Sequence, residues 1–366
     1  MVLAGGGTGG HVYPGLAVAN ALAAEVALLE LLYIGVRGRI DETIVPREGI
    51  AFKAVSAGPL RVSSPIAFAV NLVRLGVGVV QSTWALLRFK PDAVFATGGY
   101  TSVPVGVAAR MLRKPLVVFL PDVTPGWAVK LLSRLATRMT TTSERALQYL
   151  PANKTVVVGY PVRGEFWSMT RDEARRRMEL PLNSKVLLVT GASLGARKIN
   201  EAVVEALPQL LEHCIVVHVT GTADEAWATD KRTSIESGKR DRYVVRGYLD
   251  NMPAAMVASD LAVMRAGAST LGELPAAGLP AVLVPGEYDG WSQAPNAEFM
   301  QEQGAAVMLR NAELGQLGTV VSELLSDDTR LATMRAAAKQ LARPDAARDL
   351  ARTLIEVVGD SPRRAA

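Results

Sequence analysis

The sequence predicts an α/β protein of two domains, each a parallel sheet with helices on both faces. Three observations carry this. The chain has 366 residues, and a single core rarely grows past ~250–300 residues. Short apolar runs alternate with longer helical ones from end to end, as parallel sheets with crossover helices require. The alternation then restarts near Gly159, where Val158-Gly159-Tyr160-Pro161 reads as a turn. This gives domains over residues 1–160 and 161–345, and a last helix with a polar, basic end over 346–366. Two such units facing each other across a cleft would place a ligand between them, where α/β sheets bind.

Residues 2–4 form a first short strand, cut off by glycines. Apolar runs at 30–34, 93–96, 116–120 and 155–158 continue the first domain. Those at 186–190, 215–220, 243–246, 261–264 and 281–285 build the second. Helices are expected between them, among others at 14–25 behind Pro14, 199–211, 268–277 and 296–303. Aromatic residues make up only 5% of the chain, so the cores must be built from Ala, Val and Leu.

The one cysteine, Cys214, excludes an internal disulfide and a cysteine metal cluster. In the run Cys-Ile-Val-Val-His-Val it reads as a buried strand residue. The net charge of +5 points to an anionic partner. Neither an RNA-binding aromatic signature nor a zinc-finger spacing is present, so nucleic acid is not that partner. The arginine-rich run 171–177 reads as a solvated helix face. The first residues run straight into glycines without a signal peptide, which points to the cytoplasm. Residues 64–90 are strongly apolar but carry Asn71, Arg74, Gln81 and Ser82. A spanning helix needs ~20 predominantly apolar residues, and Arg74 near the centre makes spanning costly. Two readings remain: one or two buried helices, or an apolar surface that dips into a bilayer while Arg61, Arg74, Arg88 and Lys90 meet anionic headgroups.

Three glycine-rich turns follow expected strands: Gly5–Gly10 ending in His11, Gly98-Gly99-Tyr100-Thr101-Ser102, and Gly191-Ala192-Ser193-Leu194-Gly195-Ala196. Glycine lets a ligand approach the backbone, and a following helix offers free N–H groups and the positive end of its dipole to phosphate. No Gly-Lys-Ser/Thr follows, so this is not a P-loop. The lack of a Gly-x-Gly-x-x-Gly run with an acidic residue about 20 positions on speaks against a nicotinamide dehydrogenase. Of the three histidines, His11 alone adjoins a glycine loop, where it could act as a general base. His213 and His218 flank an apolar strand and read as structural. In the second half, Arg265-Ala266-Gly267-Ala268-Ser269-Thr270-Leu271-Gly272-Glu273 lies between a strand and a helix. Glu273 is suited either to a ribose diol or to the helix dipole. Gln293 and Asn296 carry amides that match sugar hydroxyls.

Taken in order, GGGTGGHVYPGLAVANAL, GGYTSVP, GYPVR, GASLGARKIN and RAGASTLGELPAAGLPAVLVP followed by QAPNA resemble the MurG family, the bacterial peptidoglycan transferases of glycosyltransferase family 28. The resemblance runs from residue 3 to about residue 310. It implies a GT-B fold: two Rossmann-like domains with parallel sheets facing across a cleft. The implied reaction transfers N-acetylglucosamine from UDP-N-acetylglucosamine to the muramyl sugar of lipid I, with inversion, to give lipid II on the cytoplasmic face of the cell membrane. By position, Arg163, Ser193 and Asn200 would lie near the donor diphosphate or sugar. The backbone of Leu249 would meet the uracil. Ala268, Ser269 and Thr270 would receive phosphate, Glu273 the ribose, and Gln293 and Asn296 the donor sugar. On the acceptor side stand Thr8, Gly9, Gly10, Gly98, Gly99 and Tyr100, with His11 as the base. The implied partners are lipid I, the membrane surface through residues 64–90 and their basic rim, and cell-wall synthesis or division proteins.

The chain departs from the family where His-Glu-Gln-Asn commonly follows the strand ending at Leu120. Here the residues are Pro121, Asp122 and Val123, and Lys130 replaces a usual asparagine. Ser292 stands where His or Gln often precedes Gln293. Asp122 is therefore a second candidate base. The expected mechanism is direct displacement, with the leaving charge met by the helix N-terminus at 268–270 and by Arg163 or Arg265. No Asp-x-Asp motif calls for an obligatory metal, and no cofactor is expected. The alternatives are a related transferase acting on a diacylglycerol-type lipid, a UDP-N-acetylglucosamine epimerase, and a non-catalytic nucleotide-sugar-binding protein.

Overall fold

The structure is a computed structural model that describes residues 1–360 except Arg61, Ser63, Ser193, Leu194, Asp289 and Gly290. Arg61, Ser193 and the tail from residue 361, assigned roles above, thus lie outside the described residues. The chain divides into two units, the first Met1–Arg163 with Arg343–Ala366, the second mainly Gly164–Tyr288 and Ser292–Ala342.

In the first unit, β1 (Val2–Ala4), α1 (Gly9–Glu25), β2 (Leu32–Gly35), α2 (Ile40–Arg47), β3 (Ala51–Ala54) and α3 (Pro65–Phe89) come first. They are followed by β4 (Val94–Ala96), α4 (Ser102–Met111), β5 (Leu116–Leu120), α5 (Trp127–Leu135), β6 (Arg138–Thr141) and β7 (Thr155–Val157). The strands form one parallel sheet in the order β3-β2-β1-β4-β5-β6-β7. Central strands such as β5 are buried along their whole length, which is why they read as continuous apolar runs.

The second unit opens with α6 (Glu165–Ser168), α7 (Arg171–Arg177), β8 (Val186–Thr190), α8 (Arg197–His213), β9 (Ile215–Val219) and α9 (Glu225–Lys231). It continues with β10 (Tyr243–Arg246), α10 (Met252–Ala258), β11 (Leu261–Met264), α11 (Thr270–Ala277) and β12 (Ala281–Leu283). The two-residue strands β13 (Glu287–Tyr288) and β14 (Trp291–Ser292) precede α12 (Ala294–Glu302), β15 (Ala306–Met308), α13 (Leu317–Ser326) and α14 (Asp328–Gln340). Its parallel sheet runs β10-β9-β8-β11-β12-β15. In each sheet the winding reverses once, between β1 and β4 and between β8 and β11, and such switch points are where open α/β sheets bind ligands.

The last helix, α15 (Ala346–Gly359), belongs to the first unit and packs on α1. Gly159 permits this return: it stands at φ +88°, and a Cβ there would lie 2.5 Å from that of Arg343.

Several expectations change. Residues 65–89 form one helix, and the reading as buried helices fails for its outer face. Asn71, Leu75, Gly78, Ser82, Ala85 and Leu86 face inward, whereas Ile66 is 77% and Val80 71% exposed. Arg175 leaves the solvated face expected for 171–177: it is 1% exposed and donates to Asp260, Ala258 O and Pro181 O. Cys214 is buried but caps α8 rather than opening β9. Strands β3, β6 and β15 escaped the apolar-run test, and β6 shows why. Its buried Thr140 and Thr141 are polar by type, and the Thr141 hydroxyl is satisfied by Leu120 O.

Candidate active site

In the first unit the glycine loops after β1 and β4 meet at the switch point. The loop after β1 is held from beneath by Asp41 of α2. This fully buried carboxylate accepts the N–H of Gly7 at 3.2 Å and of Val36 at 3.0 Å. Gly6, at φ +150°, lies so close that a Cβ would stand 2.6 Å from an Asp41 oxygen. Buried beside it, Tyr33 has its phenol pKa raised, first by burial and then by the Asp41 charge.

Thr8 is the N-cap of α1, and Gly9 and Gly10 form its first turn. Pro14 has no N–H to give to Gly10 O four residues back. The Tyr160 hydroxyl supplies that bond at 3.0 Å. Next along the helix, His11 Nδ1 lies 2.8 Å from Thr97 O. A carbonyl only accepts, so Nδ1 carries a proton, and in the neutral ring the lone pair is on Nε2. That lone-pair nitrogen faces the second loop: a Cβ on Gly99 would lie 3.6 Å from it, and one on Gly98 3.5 Å from Cε1. Ser102 ties this second loop to β1 by donating to Ala4 O at 3.1 Å and Gly98 O at 2.6 Å. The Tyr100 hydroxyl approaches Gly7, 3.9 Å from where its Cβ would be. Asp122 follows β5, one strand further along the sheet, half-buried, in a turn pinned by the Thr142 hydroxyl on Pro121 O at 2.8 Å. Lys130 is exposed on α5. Arg163 lies over the Tyr13 ring at 4.5 Å and so belongs to this unit, although it is expected to serve the donor.

In the second unit the loop after β8 carries Ala192 at φ +65°, a strained position for a residue with a Cβ. A Cβ on Gly195 would fall 2.3 Å from Thr220 O. Asn200 lies beneath this loop, fully buried. Its amide donates to Thr220 O at 2.9 Å and Asp224 at 2.7 Å, and its oxygen accepts from His218 at 3.1 Å. Both ends of the Asn200 amide are thus engaged within the protein, so its side chain braces the turn after β9.

The loop after β11 is built the same way. Thr270 is buried, with its hydroxyl turned onto Gly267 O at 2.6 Å. Ala268 and Ser269 lead into α11, and Glu273 is half-buried in its first turn. Arg265 bridges to Val284 O at 3.2 Å and to the Asn311 amide oxygen at 2.9 Å. From α12, Asn296 donates to Ala266 O at 3.0 Å. Gln293 accepts the Gly286 N–H at 2.8 Å and turns Nε2 toward Gly267. Leu249 is half-buried in the turn between β10 and α10. Among the described residues no cluster of three or more His, Cys, Asp or Glu side chains is arranged to hold a metal.

Asp41, Thr97 and Tyr160 were not singled out from the sequence. The bulk of Pro14 inside a glycine-led helix was the one available signal for Tyr160, since it orphans a carbonyl.

Two parallel-sheet units, each with glycine loops opening onto helix N-termini at its switch point, define the GT-B class of two-domain nucleotide-sugar-binding folds. The glycosyltransferase family 28 N-terminal domain matches residues 1–141, and the family 28 C-terminal domain matches residues 186–350. The chain belongs to glycosyltransferase family 28. It is 38% identical over 355 residues to a protein of Desulforudis audaxviator (strain MP104C), covering 94% of this chain and 95% of that one. It is 37% identical over 358 residues to one of Salinibacter ruber (strain DSM 13855 / M31), covering 97% and 96%. Both are named UDP-N-acetylglucosamine–N-acetylmuramyl-(pentapeptide) pyrophosphoryl-undecaprenol N-acetylglucosamine transferase. Among solved structures, Acinetobacter baumannii MurG matches with a TM-score of 0.71 at 24% identity, covering 97% of this chain and 98% of that one. The UDP-GlcNAc 2-epimerase of Neisseria meningitidis matches with 0.68 at 15% identity, covering 97% and 98%. Such low identities carry the fold alone, and the fold does not choose between transferase and epimerase.

Proposed function

We propose that this protein transfers N-acetylglucosamine from UDP-N-acetylglucosamine to the muramyl sugar of lipid I, forming lipid II with inversion at the anomeric carbon. The observation that carries this reading is the near-full-length identity to relatives named for that reaction. The acceptor hydroxyl attacks the anomeric carbon, the bond to the UDP oxygen breaks, and the hydroxyl proton passes to His11 Nε2. The bond from Nδ1 to Thr97 O supports His11 over Asp122 as the base, because it leaves Nε2 beside the second glycine loop, on the side expected for the acceptor. The departing diphosphate is met by the N-terminus of α11 at Ala268–Thr270 and by Arg163 or Arg265, while Glu273 holds the ribose.

The exposed apolar face of α3 docks the protein on the cytoplasmic surface of the membrane as a peripheral enzyme. α3 is 25 residues long and apolar enough to cross a bilayer by length and composition. Its inner face, however, is seated on the protein through Asn71, Leu75, Gly78 and Leu86. On the outer face, half-exposed Trp84 lies under the Lys53 ammonium at 3.9 Å and near the Arg88 guanidinium at 5.5 Å. An amphipathic aromatic with cations around it suits a lipid–water boundary.

The test is UDP release from UDP-N-acetylglucosamine with and without a short-prenyl lipid I analogue. Release that depends on the analogue supports the reading, and His11→Ala is then expected to lower kcat by about 10²–10⁴-fold with the donor KM unchanged. Release only with diacylglycerol, or donor isomerisation without any acceptor, would replace it by one of the alternatives.

A further inference from the structure

Next to the first glycine loop lies a recess of about 490 Å³ that the mechanism above does not use. Its lining includes Val36, Arg37, Ser56, Arg74 and Gln81. The volume falls in the ~300–1,000 Å³ range of small-ligand sites. The lining brings two guanidinium groups together with no carboxylate among them. Neither Arg37 nor Arg74 forms an ion pair with another described residue.

The walls are firmly built. Gly78 lets α3 sit directly on the segment after β3, because a Cβ there would be 2.0 Å from Ser56 O. One turn later, Gln81 accepts the Ser56 N–H at 2.7 Å, and Asn71 donates to Pro59 O at 2.7 Å. Arg74 thus projects from a helix locked to the sheet edge. On the other wall, Val36, the residue before Arg37, shares the Asp41 carboxylate with Gly7 of the glycine loop. The recess is therefore tied on one side to the loop that carries His11. On the other side it adjoins the helix that carries exposed Val73, Val77 and Val80.

We propose that Arg37 and Arg74 hold the pyrophosphate of the lipid-linked acceptor. The inference rests on the acceptor proposed above. In the relatives' names the acceptor is a muramyl unit, then a pyrophosphoryl link, then undecaprenol. The surface presents the same order: the loop with His11, the two arginines, the apolar face of α3. Arginine suits this task because its planar fork binds phosphate oxygens in pairs and stays charged at any working pH. Phosphate chemistry has a second source here, the headgroups of the bilayer itself, and the test separates the two.

Kinetics are measured with a soluble muramyl-pentapeptide short-prenyl pyrophosphate acceptor and no vesicles, and geranyl diphosphate binding is measured by calorimetry. Arg37→Ala and Arg74→Ala are each expected to raise the acceptor KM about tenfold, with kcat and the donor KM unchanged. The double variant should weaken geranyl diphosphate in the same proportion, and Arg37→Lys with Arg74→Lys should recover part of the loss. Unchanged acceptor KM and unchanged geranyl diphosphate binding in the double variant overturn the proposal. So does a loss that appears only when phosphatidylglycerol vesicles are supplied, which would assign the arginines to phospholipid. If the wild type fails to turn over the acceptor, the function proposed above falls, and geranyl diphosphate binding still decides whether the recess takes a lipid diphosphate.

Discussion

Acid is expected to loosen the second unit through one buried side chain. His218 on β9 is fully buried, with Nδ1 accepting from the Tyr243 hydroxyl at 2.9 Å and Nε2–H donating to the Asn200 oxygen at 3.1 Å. Burial pulls its pKa from 6.5 down to about 4, against a smaller opposing pull from Asp224. In the unfolded chain it titrates near 6.5. Between these values the unfolded chain binds the proton and the folded one does not, so stability is full above the unfolded pKa and is lost as pH falls toward 4. The gap between 6.5 and about 4 sets a ceiling of about 3 kcal/mol. Between pH 7 and pH 5 the same linkage removes about 2 kcal/mol. The assay is urea unfolding at both pH values, followed by hydrogen exchange in β9 and β10, for the wild type and for His218→Gln. The variant begins less stable but has no proton to take up, so the wild type should lose about 2 kcal/mol more than it does. Equal losses would refute the assignment, placing the acid sensitivity elsewhere. Because Asn200 braces the turn after β9, on which the loop after β8 rests through Gly195 against Thr220 O, the donor KM of the wild type should also rise over this interval.

Three further outcomes follow from groups held in the same way. Tyr160→Phe leaves Gly10 O without a donor and should cost about 1–3 kcal/mol; Pro14→Ala restores an N–H at that carbonyl and should return part of it in the double variant, as read by thermal unfolding. Asp41→Asn sets an NH₂ against the N–H of Gly7 or Val36, so it should raise the acceptor KM several-fold with the donor KM unchanged and lower stability by about 1–3 kcal/mol, by steady-state kinetics and urea titration. Asp260→Ala strips the carboxylate from buried Arg175, a change expected to cost about 3 kcal/mol in urea unfolding, the lower end for a broken buried pair because Ala258 O and Pro181 O still receive the guanidinium.

The sheets were legible because their central strands are buried on both faces and therefore apolar without interruption, as in Leu116–Leu120 and Val186–Thr190. Edge and polar strands were not. β3 reads Ala-Phe-Lys-Ala and is nowhere fully buried, and β6 buries two threonines, of which Thr141 donates to Leu120 O. The helix at 65–89 shows the opposite failure. Its apolarity was plain, but which face the protein covers depends on Gly78 fitting against Ser56 O, a contact between positions 22 residues apart in sequence. Likewise the role of Asp41 arises from two loops that meet only in the folded sheet. Glycine marked where a ligand approaches, whereas the residues that hold the glycines in place carried no local signal.

That distinction bears on how the motif residues act. Asn200, Thr270, Arg265, Gln293 and Asn296 all look from the sequence like donor contacts. Yet each spends at least one polar group on the protein itself: on Thr220 O, Gly267 O, Val284 O, the Gly286 N–H and Ala266 O respectively. A glycine-rich loop has little side-chain packing of its own, so its backbone must be fixed by neighbours whose polar groups end on its carbonyls and amides. Substituting such a neighbour raises the donor KM whether or not it ever touched the donor. A contact residue and a brace therefore differ in stability without ligand: loss of a brace lowers it, whereas loss of a pure contact does not. By this criterion Asn200 and Thr270, with hydrogen-bonding side chains fully inside the protein, are expected to behave as braces. Gln293 is both brace and candidate contact, since its oxygen is committed to Gly286 while its Nε2 is turned toward the loop that leads into α11.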